Sequence, residues 1–230
     1  MMWSRAGLAP LLLAACACGD VRVASDGSPG GGSSPDAAEG APDGGGDGGD
    51  EDASVGPDAA GPDAPPADRI VFVTSQVFTG AMGGLAGADA ACQAAAAAGS
   101  LPGSYLAWLS DATGSPASRM NQGGGPFHLT DGTAIAADWA DLTDGSIATP
   151  IDRDELGRPS EGTFICQGGE VWTNTTAAGA ARGADACTDW TSIQDTSSAG
   201  NVKFADASWT ESECSVITCE SGLPIYCVQQ

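Results

Sequence analysis

Positive charge is scarce in this chain: eight Lys and Arg stand against 30 Asp and Glu, a formal net charge of -22. No cluster of basic residues is available to neutralise phosphates, which removes the usual electrostatic route to nucleic acid and to anionic membrane surfaces. Histidine occurs once, at His128. With no G-x-S-x-G nucleophile elbow beside it, a catalytic triad would rest on the mere presence of serines and aspartates, and His128 reads as a loop or strand-edge residue. No glycine-rich segment with phosphate-loop spacing follows a strand, so the glycines belong to spacers and turns. No apolar run approaches the roughly 20 residues a membrane-spanning helix needs. No CxxC pair occurs, and of the six cysteines from Cys92 onward only Cys214, Cys219 and Cys227 lie near one another, which disfavours a zinc cluster.

What is present falls into three segments. The first carries Arg5, an apolar run from Leu8 to Ala15, and then Cys16, the layout of a signal peptide. Leu13-Ala14-Ala15-Cys16 resembles the lipobox of bacterial lipoproteins. That resemblance implies cleavage before Cys16, a diacylglyceryl group on its thiol and acylation of its new amine. More than one chain then enters the membrane, where a single chain anchors only marginally. An ordinary signal peptide cleaved near Gly19 is the other reading. Ala17 follows the cysteine, where inner-membrane lipoproteins often carry aspartate, which points to the outer membrane or the cell surface.

Residues 17–67 change to Gly, Pro, Asp, Ala and Ser, with runs such as "DGGGDGGDEDA". Too little apolar surface exists there to offset an ordering cost of roughly 1 to 2 kcal/mol per residue, so the segment is expected to be a disordered tether. As a flexible coil it spans about 40 Å, lengthened by proline and by like-charge repulsion. The aspartates follow no fixed period, so a solvated spacer is preferred to calcium-binding repeats. Acidity is shared along the chain: residues 17–68 hold 12 acidic and 1 basic residue, and residues 69–230 hold 18 and 6.

Residues 68–230 are long enough for one core. They contain Cys92, Cys166, Cys187, Cys214, Cys219 and Cys227, an even set of six. Behind a signal peptide such a set implies three disulfides. "RIVFVTS" (69–75) reads as a strand and "GGLAGADAACQAAAAAG" as a helix that sets Leu85, Ala88 and Cys92 on one face and stops at Gly99. "SYLAWLS" (104–110) reads as a strand, followed by loops to Gly162 and short strands near "TFICQ", "EVWTN", "NVKFADASW" and "PIYCVQQ". The class expected is α+β, with large loops held by crosslinks.

The series "RIVFVTSQVFTGAMGGLAGADAAC", "YLAWLSD", "DLTDGSIATPIDRDELG", "EVWTNT", "CTDWTS" and "LPIYCVQQ" resembles domain of unknown function family 1554, a family of bacterial secreted lipoprotein domains. The resemblance covers nearly all of residues 69–230. It implies the C-type-lectin-like or endostatin-like fold, with a disulfide from Cys92 in the helix to Cys227 in the last strand. "WTESEC" (209–214) copies the Trp-to-Cys spacing of the lectin "WND" segment, which implies Cys187 with Cys214 and leaves Cys166 to Cys219. Cys187 with Cys219 is a comparable alternative.

Lectins of that fold bind calcium and sugar through an "EPN" or "QPD" loop and the Asn and Asp of "WND", oxygen donors for a hard cation. Here the first motif is absent and the second reads Trp209-Thr210-Glu211, so classical calcium-dependent sugar binding is not implied. The acidic run Asp138, Asp141, Asp144, Asp152, Asp154 and Glu155 offers a weak calcium site at Asp141, Asp144 and Asp152. Turn-capping aspartates look the same in sequence and are the favoured reading. Of Trp108, Trp139, Trp172, Trp190 and Trp209, most are expected in the core; Trp139, with Asp141 and Asp144, is the best surface candidate for a ligand. The function expected is a non-enzymatic, lipid-anchored recognition module for glycan, matrix or protein ligands, with no certain cofactor. A structural envelope component is the alternative, and a secreted hydrolase is less favoured.

Overall fold

The computed structural model describes residues 67–230 apart from Asp185 and Ser215. The segment read as a signal peptide, Cys16 and nearly all of the stretch expected to be a tether lie outside the described residues. Among those described, no helix is long and apolar enough to cross a membrane.

The β-branched run at the start of the domain forms β1 (Arg69–Val73), and helix α1 (Gly84–Ala98) follows it. The helix buries Leu85, Ala88, Cys92 and Ala96, a stripe spaced every three or four residues. Its end departs from expectation. Gly99 keeps a right-handed conformation, its N–H bonding Ala95 O, and Ser100 takes the left-handed position at φ 56°. The turn is thus completed one residue later than the glycine suggested.

β2 (Tyr105–Ala107), β3 (Phe127–His128), β4 (Ala134–Ala136) and β9 (Tyr226–Gln229) complete a five-stranded sheet in the order β2-β9-β1-β3-β4. The last strand enters between β1 and β2, antiparallel to both, with Phe72 and Ala107 each opposite Cys227. Alternation along β1 sends Phe72 to the face covered by α1, Trp172 and Trp190, and Val71 and Val73 to the face covered by Trp108, Trp209 and Ile135. Two smaller sheets lie outside it. β5 (Glu170–Trp172) pairs with β7 (Ala199–Asn201), and β6 (Thr196–Ser197) pairs with β8 (Ile217–Thr218). Short helical turns α2 (Pro116–Arg119) and α3 (Trp139–Leu142) punctuate the long connections. The architecture is α+β with short sheets, few helices and three disulfides, as composition and spacing implied.

Two segments read as strands are not strands. "TFICQ" is a loop, because Gly168 and Gly169, at φ 78° and 105°, fold the chain back on itself. "NVKFADASW" leaves its sheet after Asn201 and ends in a short 3-10 turn over Ala207–Trp209.

Cys92–Cys227 closes 135 residues, ties α1 to β9, and contributes about 4 to 5 kcal/mol by chain entropy. The other two pairings differ from those the lectin segment implied. Cys187 bonds Cys219 and Cys166 bonds Cys214. The reason is local: the Phe78–Leu223 bridge and the Gly80 N–H bonding Cys219 O draw the 219 segment under the start of α1, beside Cys187. A Cβ on Gly80 would lie 2.6 Å from the Cβ of Cys187 and 2.8 Å from that of Cys219, so only glycine fits at this crossing.

Candidate functional site: an exposed apolar loop over a buried carboxylate

The acidic run disperses into turn chemistry. Asp138 caps α3 by accepting from Asp141 N, and Asp141 accepts from Ala137 N. Asp144 accepts from the N–H and hydroxyl of Ser146, Asp152 pairs with Arg153 at 2.7 Å, and buried Asp154 holds Leu156 N, Arg158 N and the Arg158 guanidinium. Glu155 accepts from the N–H and hydroxyl of Ser75. Nearby, Asp131 sits below the usual carboxylate range because the Thr133 hydroxyl and N–H hydrogen-bond to it, with Arg153 adding to this. Asp141, Asp144 and Asp152 do not gather into a ligand cluster. Among the described residues the only such grouping is Cys166, Glu170 and Cys214, whose sulfurs are already bonded to each other.

Trp139 is half-buried, its ring 5.8 Å from that of Trp108. Trp108, Trp172, Trp190 and Trp209 are all buried. Glu211, at the lectin-like position, accepts from Ala177 N and lies 3.7 Å from Arg182. His128 lines a shallow hollow of about 380 Å³ with Ile70, Leu129, Thr130 and Gln229, its Nδ1 3.9 Å from the exposed Asp68 carboxylate. The Thr130 hydroxyl in that hollow donates to Asp154 O.

The feature missed in sequence lies between β4 and β5. Thr163 and Glu170 pair across a tight loop through hydrogen bonds in both directions, 3.1 and 2.9 Å. The Glu170 side chain is fully buried and turns back under the loop, Oε2 accepting from Ile165 N at 3.0 Å and Oε1 from Gln167 N at 2.7 Å. No cation pairs with it among the described residues. Its charge is met by these amides, the arrangement that makes a buried carboxylate tolerable. Asn201 Nδ2 donates to Gly168 O at the far side, and Cys166–Cys214 ties the tip to the segment that leads into β8.

On this platform Phe164 is 83 % exposed and Ile165 41 %. Gly168 lies between Phe164 and Lys203, and Phe204, next in the chain, is 38 % exposed. Val216, two residues beyond Cys214, is 74 % exposed. Full burial of a phenylalanine is worth about 1.5 to 3 kcal/mol, and here that stabilisation goes uncollected in the free domain. Apolar side chains held out in water by a fixed support are the usual mark of a contact surface. Exposed acidic residues occur in the segments tied to it: Glu213 precedes Cys214, Glu220 follows Cys219, and Glu161 lies 3.4 Å from Lys203.

A second unusual feature is internal. Cys187, Thr188, Asp189 and Trp190 all have left-handed φ, from 51° to 61°, a full turn that costs about 1 to 2 kcal/mol per residue. It is held by Cys187–Cys219, by the buried Trp190 ring whose Nε1 donates to Ser110 O at 3.0 Å, and by Gly83 N donating to Trp190 O. Thr188, Asp189 and Asp195 border an open hollow, yet Asp189 already accepts from Ala112 N and Asp195 from the Thr188 hydroxyl. The turn is accounted for by the packing it serves. No family model matches the chain, and no curated protein matches it in sequence.

Proposed function

We propose that this chain is an exported lipoprotein held at the outer membrane or cell surface through Cys16. In this reading residues 68–230 are a C-type-lectin-like module that binds a protein ligand through the Phe164 loop. The observation that carries it is Phe164, almost fully exposed next to Ile165 on a loop fixed by a disulfide and a buried carboxylate. Partner surfaces of this type bury a central aromatic anchor within a polar rim. The acidity of the segments tied to the loop favours a partner with complementary positive charge, and complementarity of that kind mainly raises the association rate and selectivity. A protein ligand is preferred to a glycan because the exposed group is a phenylalanine followed by a partly exposed isoleucine, while Trp139 rests half-buried on Trp108. The lectin-like reading draws on the segments that resemble the lipoprotein family and on the α+β architecture with three disulfides.

The test is retention of the full chain on arrays of extracellular matrix proteins and of glycans, with Phe164→Ser in parallel. Retention on protein features that falls at least roughly ten-fold in the variant, a loss of about 1.4 kcal/mol, supports the reading. Retention on nothing, or equal retention of both forms, overturns it. Retention on glycans that depends on Trp139 instead would move the site to α3.

A further inference from the structure

The three disulfides are not alike in their surroundings. Cys92, Cys227, Cys187 and Cys219 have no exposed surface, Cys214 has almost none, and Cys166 alone faces solvent. We propose that Cys166–Cys214 is a thiol-exchange site, open to small or protein dithiols, whose reduction releases the Phe164 loop. The consequence for binding rests on that loop being the contact surface proposed above.

Thiol–disulfide exchange needs direct approach of a thiolate to one sulfur, so access decides which bridge reacts. An incoming dithiol attacks Cys166 Sγ, forms a mixed disulfide with it and breaks the Cys166–Cys214 bond. Cys214 leaves with the bonding electron pair. Its sulfur lies 3.8 Å from Glu170 Oε1, where a carboxylate opposes a second negative charge, so the released sulfur takes a proton from solvent. The second thiol of the reagent then resolves the mixed disulfide, freeing Cys166 as a thiol and leaving the reagent as a cyclic disulfide. Two electrons and two protons pass to the protein, and the dithiol is oxidised by the same count.

Opening this bridge leaves the rest of the domain supported. α1 stays tied to β9 by Cys92–Cys227, and the left-handed turn stays tied by Cys187–Cys219. What is lost is the disulfide crosslink between the segment carrying Phe164 and Ile165 and the segment carrying Val216. The loop keeps its Thr163–Glu170 pairing and the two amide bonds to Glu170 but gains freedom at its tip. A freed tip must be ordered again on binding, at an entropic cost the bridged form does not carry.

The full chain, its pre-existing thiols blocked with iodoacetamide, is exposed to dithiothreitol without denaturant. New thiols are capped with a maleimide over time and located by peptide mass mapping. Cys166 and Cys214 are expected together, at least roughly ten-fold sooner than the other four, which open only with the fold. Appearance of all six together, or of another pair first, overturns the exchange site. For the regulatory step, Cys166→Ser/Cys214→Ser is compared with the native chain on the protein array, with cooperative unfolding as the check that it folds. A fall in retention supports release of the loop, and unchanged retention overturns it. Retention of neither form would remove the recognition reading alone, because the labelling order is read without any ligand.

Discussion

Two loops of this domain are each closed by a disulfide, and they use the closure in opposite ways. At Cys187–Trp190 the bridge lies in the core and holds four residues in a backbone conformation they would otherwise leave. At Thr163–Glu170 the backbone needs unusual angles only at glycines, and the bridge holds apolar side chains out in water. One loop spends conformational energy to bury a tryptophan. The other forgoes burial energy to present a phenylalanine. Cost incurred inside a domain is returned by its own packing, whereas cost incurred at the surface is returned only by something else covering it.

The comparison is broken most severely by removing the buried anchor. Trp190→Ala takes away the ring that packs 5.7 Å from Trp172 and the bond to Ser110 O, leaving the left-handed turn only its disulfide and backbone hydrogen bonds. A loss of about 3 to 5 kcal/mol is expected in urea unfolding.

Alkaline pH tests the same interior through its tyrosines. Burial pushes the Tyr105 hydroxyl up to about 12, and Tyr226, fully buried, is also raised, by burial first and then by the charge of Asp152. In the unfolded chain both lose their protons near 10. Stability is therefore full below that pH and is lost progressively as pH rises from about 10 to about 12, because the unfolded state binds fewer protons across that range. Thermal midpoints measured across it should fall, and Tyr105→Phe should flatten part of the fall. At neutral pH that variant should be no less stable, since the Tyr105 hydroxyl has no hydrogen-bond partner.

Glu170→Gln sharpens the contrast at the surface loop. One amide N–H of the substitute faces a backbone N–H that Glu170 accepts from, at a cost of about 1 to 3 kcal/mol. Hydrogen exchange at Ile165 and Gln167 should accelerate while α1 keeps its protection. Exchange that rises everywhere would mean Glu170 serves the whole core. Phe164→Ser should shift stability by no more than about 0.5 kcal/mol, as expected for an exposed position, while removing array retention. The smallest effect is expected from calcium. Because Asp141, Asp144 and Asp152 are committed to backbone amides, Ser146 N and Arg153, millimolar calcium followed by EDTA should leave the thermal midpoint unmoved. A clear rise would return a cation site to the acidic segment.

Much of the fold was legible in the residues. The β-branched run at Arg69–Val73, the Tyr- and Val-bearing end of the chain at Tyr226–Gln229, and the apolar stripe of α1 are patterns that a local reading detects. Six cysteines in one segment implied three disulfides. The candidate site was not legible, because "TFICQ" has the composition of a buried strand. Only the Gly168-Gly169 reversal and the Glu170 carboxylate beneath the loop turn Phe164 outward, and neither leaves a periodic signal. The aspartates were visible but ambiguous, since a turn cap and a cation ligand use the same atoms.

By itself, then, the sequence determined the α+β class of the last segment, the acidity and the crosslink count. These follow from composition and short-range spacing. The tertiary structure alone decided which cysteines pair, which tryptophans are buried and where an apolar side chain faces solvent. Each of those depends on residues far apart in the chain meeting at a crossing such as Gly80 with Cys187 and Cys219, where the shape of the packed backbone sets the outcome.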